Sequence, residues 1–190
     1  MPMPAATQGA IVRHKARRFL CLLQLGLACA CLLGATPAWS DDLPEYRLKA
    51  AFLYNFAAFT EWPADVGATL NLCIYGADPF AGEIDALNGK TASSRKIEVH
   101  RKSSLDTLKS CQIVFISAAA SGQLPRVTDA LRGLPVLSIA DSPGAARQGV
   151  MLNMNLVQGR VSFEANLVAA RSARLTLSSK LLRLATEVIQ

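Results

Sequence analysis

The sequence predicts an α/β fold: a single domain with a largely parallel, mixed sheet, helices on both faces, a C-terminal β-hairpin and two terminal helices. Three observations carry that prediction. Between Thr69 and Ala140 short apolar or alternating runs take turns with helix-forming segments, the arrangement that yields a parallel sheet covered by helices. From Met151 to Phe163 the period drops to two around Gln158-Gly159, as in a hairpin. After Asn166 the period becomes helical to the end of the chain.

The N-terminus stands apart from this pattern. Arg13, Lys15, Arg17 and Arg18 precede an apolar run from Phe19 to Ala35, with no acidic residue before Asp41. A basic start, a short apolar centre and a small-residue exit at Ala38 and Ser40 make up a secretory signal peptide. The expected organisation is therefore a signal over residues 1–40 and an exported domain over residues 41–190. Removing the four positives leaves 16 basic against 14 acidic residues. That balance takes away the only support for nucleic-acid binding.

Within the expected domain, Leu43 to Trp62 reads as the first helix. Leu48, Ala51, Phe52, Asn55, Phe56 and Phe59 fall at three- and four-residue spacings, and Pro63 ends the run. Tyr54 lies off that stripe and points elsewhere. Leu70, Leu72 and Ile74 form a strand, and Asp78-Pro79 opens a helix through Leu87. Lys96 to Arg101 is a polar strand suited to a place near a sheet edge. Leu105 to Leu108 is a helical turn, and Cys111 to Ser117 a strand apolar enough for burial on both faces. Leu124 to Arg132 forms a helix stopped by Gly133, followed by a strand over Pro135 to Ala140. After the hairpin, Asn166 starts a short helix carrying Leu167, Ala170 and Arg174. Ser178 then caps a second helix with Leu181, Leu182, Ala185, Val188 and Ile189 on one face.

Catalytic chemistry finds little purchase. The Gly76-Ala-Asp-Pro-Phe-Ala-Gly82 turn lacks the Lys-Ser/Thr of a phosphate loop and the spacing of a dinucleotide fingerprint. His100 has no second ligand at metal spacing, so no metal and no cofactor are expected. Asp141 ends a strand in a Ser-Pro-Gly turn, which is turn chemistry more often than catalysis. No nucleophile, base and orienting group occur together, and the chain reads as a non-enzyme. A second reading keeps the crevice at the strand C-termini, near Gly76, Ser117 and Asp141, as a small-molecule site of a sensor or carrier.

Of five cysteines, Cys21, Cys29 and Cys31 lie in the apolar leader. Cys73 and Cys111 remain, and two cysteines in an exported domain are expected to form one disulfide. In a 2-1-3 strand order the strands bearing them are neighbours, which permits the bridge.

The run Glu45-Tyr-Arg-Leu-Lys-Ala-Ala-Phe-Leu-Tyr-Asn-Phe56, closing on Glu61-Trp-Pro63, is followed by Gly149-Val-Met-Leu-Asn153, Val161-Ser-Phe-Glu-Ala-Asn166 and Leu181-Leu-Arg-Leu-Ala185. This succession resembles the YfiR-like family of periplasmic proteins over about Glu45 to Ala185. The resemblance implies a repressor that binds the periplasmic sensor domain of an inner-membrane diguanylate cyclase of the YfiN type, lowering cyclic-di-GMP and biofilm formation. It also implies sequestration by an OmpA-like outer-membrane lipoprotein of the YfiB type, and a homodimer. The family's second disulfide near the loop before the hairpin has no counterpart, since Ala145 and Ala146 stand there. Candidate partner contacts are Arg47 and Tyr54 on the first helix and Glu164, Arg171 and Arg174 in the C-terminal unit. Phe163, Asn166 and Leu182 are expected to serve the fold, Asn166 as a helix cap.

Overall fold

A computed structural model describes residues 42–190, so the expected signal peptide lies outside the described residues. Helix α1 (Asp42–Ala58) leads into a short strand β1 (Thr60–Glu61). The central strands are β2 (Thr69–Tyr75), β3 (Thr91–Ala92), β4 (Arg95–Lys102), β5 (Ile113–Ile116) and β6 (Leu137–Ala140). The hairpin is β7 (Leu152–Val157) with β8 (Arg160–Asn166). Helices α2 (Leu124–Ala130), α3 (Leu167–Ser172) and α4 (Ser179–Leu182), with strands β9 (Thr176–Leu177) and β10 (Glu187–Ile189), complete the set.

One eight-stranded sheet runs β10-β8-β7-β6-β5-β2-β4-β3, and β1 pairs separately with β9. Strands β4, β2, β5, β6 and β7 are parallel; β8 turns back antiparallel to β7, and β10 runs parallel to β8. The chain leaves β2 for β4 on one side and returns to β5 on the other, so the order reverses at the β2/β5 boundary. All four residues of β5 and of β6 are buried, which explains their apolar sequence; the one polar residue, Ser138, accepts from the Met151 amide at 3.0 Å.

Each sheet face has its own core. On one, Leu53, Phe56 and Ala57 of α1 pack with Phe80, Ile84, Phe115, Phe163 and Leu181. On the other, Leu108, Leu124 and Val127 pack with Cys73, Cys111, Val114 and Ile116. The Cys73–Cys111 disulfide lies in this second core, with its Cα atoms 6.1 Å apart, and joins β2 to the segment entering β5.

Local chemistry accounts for several boundaries. The hairpin turn places Gln158 at φ 50° and Gly159 at φ 73°, both left-handed, as a two-residue type I′ connection needs. Asn166 caps α3 by accepting from the Ala169 amide at 2.9 Å, and Ser178 caps α4 by accepting from the Leu181 amide at 3.2 Å.

Several expectations need correcting. The first helix stops at Ala58, not Trp62, because Thr60–Glu61 is drawn into pairing with β9. Its buried face is Lys49, Ala50, Leu53, Phe56 and Ala57, whereas Leu48 and Phe59 are exposed. The segment after Asp78-Pro79 forms a 3-10 turn over Glu83–Leu87, and Asp78 caps the Phe80 amide at 2.8 Å in a turn ahead of it. The last helix is a single turn, and Val188 and Ile189 enter β10 beside β8. Pairing with the polar backbone edge of β8 outweighs the helical period of that apolar run. Arg174 falls beyond α3, at φ 60°.

Candidate functional site

The sequence-predicted contact residues are spread over two surfaces. Arg47, exposed near the start of α1, donates from Nε and Nη2 to Glu83 Oε1 at 3.1 and 2.9 Å. That bond keeps the Glu83 carboxyl below the usual carboxylate range and raises Arg47. Tyr54 is half-buried and donates its hydroxyl to the Thr91 carbonyl at 3.0 Å, tying α1 to β3. Both residues therefore brace the helix against its neighbours.

The other three belong to the C-terminal unit. Glu164 in β8 accepts from Asn153 Nδ2 at 3.2 Å across the hairpin. Arg171 is exposed on α3 and makes no ion pair among the described residues. Arg174 follows the end of α3 in the left-handed position usually filled by glycine, with the Leu175 amide returning to the Ala170 carbonyl at 3.0 Å. Its guanidinium reaches Asp65 Oδ2 at 3.2 Å. Arg171 and Arg174 thus form an exposed cationic surface at the end of α3, where Val168 is also exposed. Arg47 and Tyr54 sit elsewhere, on the α1 contacts with the Glu83 turn and β3.

A third arrangement escaped the sequence. Lys49 is only 4% exposed, and its ammonium bonds Asp141 Oδ2 at 2.8 Å and Glu45 Oε1 at 2.5 Å. Tyr46 donates its hydroxyl to the same Asp141 oxygen at 2.9 Å, and its ring lies 4.3 Å from the Lys49 nitrogen. The Asp141 side chain is 1% exposed. Burial, then the Asp141 charge, push the Tyr46 hydroxyl up to about 12. Burial opposes charging Lys49, but the hydrogen bonds it donates to Asp141 and Glu45 outweigh it and leave the ammonium raised. The cluster pins the N-terminal half of α1 to the C-terminal end of β6. One sequence signal could have found it: Glu45, Tyr46 and Lys49 share one helical face, while a lone acid ends an apolar strand.

The crevice residues Gly76, Ser117 and Asp141 do come together. Tyr75 pairs with Ile116, and Ile116 with Ala140, so the three next residues end adjacent strands in one row. Gly76 is at φ 95°, and a Cβ there would lie 2.5 Å from Ser117 Oγ and 2.9 Å from Ala120 Cβ. Glycine is what lets the turn over Ala118–Gln123 close against β2, at the point where open sheets of this kind place ligands.

A catalytic constellation is not visible in this geometry. Asp141 is occupied by Lys49 and Tyr46, and His100 Nε2 sits 3.2 Å from Asn71 Oδ1 on β4's neighbour. No group of three or more His, Cys, Asp or Glu side chains able to hold a metal occurs among the described residues. No helix among them is long and apolar enough to cross a membrane.

Two solved structures match this chain at 8% sequence identity. One is the ABC domain from Streptococcus pneumoniae crystallised in complex with L-Trp, matched over 76% of this chain with a TM-score of 0.50. The other is a conserved domain protein from Vibrio cholerae, matched over 75% with a TM-score of 0.47. This chain spans 60% of the length of each. At that identity the first is a likeness of fold alone. The sequence itself matches the YfiR/HmsC-like family model across residues 46–186, from Tyr46 on α1 to Thr186 before β10. That span takes in both cores, the disulfide and the buried Lys49–Asp141 pair, and the chain belongs to the YfiR/HmsC-like family.

Proposed function

We propose that this protein is a periplasmic, non-enzymatic regulator that binds the periplasmic sensor domain of an inner-membrane diguanylate cyclase of the YfiN type and holds it inactive. The observation that carries this reading is the family match over residues 46–186, nearly the whole described domain. An OmpA-like outer-membrane lipoprotein of the YfiB type competes for the repressor, and the repressor acts as a homodimer. A protein that prefers the inactive state of its receptor shifts the receptor's population by its differential affinity, and a competitor reverses the shift.

Two features support a docking role. Polar side chains on α1 are committed to holding the helix down, which gives a rigid scaffold in place of a reactive site. The end of α3 presents Arg171 and Arg174 outward, and Arg174 occupies a backbone conformation that costs a non-glycine residue roughly 1 kcal/mol. Arg171 has no ion partner among the described residues, and Arg174, though paired with Asp65, keeps its side chain largely exposed. Arg171 and Arg174 are accordingly the leading contacts, with Glu164, Arg47 and Tyr54 secondary.

Titration of the purified mature protein against the cyclase's isolated periplasmic domain tests this reading by calorimetry. Saturable binding that the lipoprotein's periplasmic domain competes away supports it. No heat and no co-elution between folded partners would refute it.

A further inference from the structure

Four buried side-chain oxygens among the described residues have no hydrogen-bond partner: Ser117 Oγ, Asp141 Oδ1, Ser142 Oγ and Asn153 Oδ1. Buried polar atoms are nearly always paired, so each such atom calls for a cause. Two of the four, Ser117 Oγ and Asp141 Oδ1, end neighbouring strands in register on the α1 side of the sheet, and Asn153, the register partner of Ala140, is on the other face. Ser117 follows β5, Asp141 and Ser142 follow β6, and Asn153 is the β7 residue paired with Ala140 at the end of β6. Ser117 and Asp141 lie at the C-terminal rim of β5 and β6, beside the β2/β5 reversal of strand order, where open α/β sheets hold their ligands.

The chemistry of the rim narrows what fits. Ser117 and Asp141 end neighbouring strands in register, one residue past the Ile116–Ala140 pair. Asp141 spends one oxygen on Tyr46 and Lys49 and leaves the other without a donor. Lys49 spends two of its three N–H bonds on carboxylates. A group placed at this corner must donate to Asp141 Oδ1 and exchange a hydrogen bond with Ser117 Oγ. An anion cannot donate to the carboxylate, and a cation would crowd the Lys49 ammonium. A hydroxyl donates and accepts without adding charge.

We propose that the rim formed by Ser117 and Asp141, backed by Lys49 and Tyr46, is a binding site for a hydroxyl group, supplied by a small neutral polyol or by a buried water molecule. Gly76 makes the site, because only a residue without Cβ leaves Ser117 Oγ its place. Phe80, fully buried against Tyr46 and Phe115 at ring separations of 5.3 and 4.9 Å, packs beside it. The site is independent of the cyclase-binding surface on α3, so either reading can fail without the other.

The test uses the mature chain and its Ser117→Ala variant, with myo-inositol and D-glucose as probes and sucrose as an osmolyte control. A saturable rise in Tm with myo-inositol or D-glucose, absent with sucrose and lost in Ser117→Ala, identifies a polyol as the source. A high-resolution crystal structure covers the other source: one ordered water within hydrogen-bond distance of both Ser117 Oγ and Asp141 Oδ1, gone in Ser117→Ala, identifies water. If neither probe gives a saturable shift and the crystal shows no hydroxyl between these atoms, the proposal is wrong. Because Ser117→Ala removes only an unpartnered oxygen, it should fold; a melt within a few degrees of the parent verifies this. A variant that fails to fold is replaced by Ser117→Cys, which keeps a side chain of similar size with a weaker donor and acceptor.

Discussion

Reduction of the Cys73–Cys111 bridge should cost this domain a large part of its stability. The bridge closes a loop of 38 sequence positions. Loop-closure entropy for that span is worth roughly 4 kcal/mol at room temperature. Domains commonly have only about 5–15 kcal/mol in total, so the loss is a substantial fraction. For a chain of this size each kcal/mol moves Tm by about 2–4 °C, which puts the expected fall at roughly 8–16 °C. Both sulfurs are buried in the core between the sheet and α2, so reductant added to the native protein is a poor test. The assay is a circular-dichroism melt of protein unfolded, reduced, refolded and shown by thiol titration to carry two free cysteines. A Cys73→Ala/Cys111→Ala variant makes an independent sample, with an added cost from the lost sulfur packing. A melt within about 2 °C of the oxidised protein, with both thiols verified, would refute the reasoning.

Four further outcomes are expected. Lys49→Met strands the Asp141 carboxylate and should cost about 3–5 kcal/mol in a denaturant melt, while Lys49→Met/Asp141→Leu should recover much of it; equal losses in the two variants would argue against a paired charge. Tyr46, raised to about 12, holds its proton in the fold after an unfolded tyrosine has lost it, so its contribution is complete below pH 10 and fades as pH rises through about 12; the alkaline fall in stability should be shallower in Tyr46→Phe. Gly76→Ala, at φ 95° and 2.5 Å from Ser117 Oγ, should destabilise by more than the roughly 1 kcal/mol of backbone strain alone, and a melt unchanged from the parent would show that the Ala118–Gln123 turn yields freely. Arg171→Glu/Arg174→Glu should weaken binding to the cyclase's periplasmic domain by tenfold or so, while the lost Arg174–Asp65 pair costs under about 1 kcal/mol of stability; equal binding by the folded variant removes that face from the interface.

The parallel core was legible because strands buried on both faces are mostly apolar: Ile113–Ile116 is apolar throughout, Leu137–Ala140 is broken only by Ser138, and both could be read directly. The hairpin and the caps at Asn166 and Ser178 were equally plain, since each depends on local chemistry within a few residues. The first helix was misread at its face. Its aromatic spacing favoured Phe52, Phe56 and Phe59, yet the structure buries Lys49 and exposes Phe59. A charge buried at Lys49 is acceptable only because Asp141 meets it from 92 positions away, and no local pattern records such a partner. The same limit hid the strand at Val188–Ile189, whose helical spacing yields to pairing with β8. Local sequence carries periodicity and caps; distant pairing decides where periodicity is overruled.

The candidate contacts divide in a similar way. Arg171 and Arg174 were visible as cations on a polar face, and exposure keeps them available. Arg47 and Tyr54 have the composition of surface contacts, but their bonds to Glu83 and Thr91 show a bracing role that depends on tertiary neighbours. The rim of unpartnered oxygens needed both the crevice argument from sequence and the register of β5 and β6 to become a specific site.

The central claim is repression of a diguanylate cyclase, and intracellular cyclic-di-GMP in the native host tests it most directly. The gene is deleted, then restored with an export-competent copy. The account predicts that cyclic-di-GMP rises on deletion and falls again on restoration, and that restoration with a copy lacking residues 1–40 leaves it high. Unchanged cyclic-di-GMP in all three strains, with the protein shown to be expressed in the parent, would contradict it.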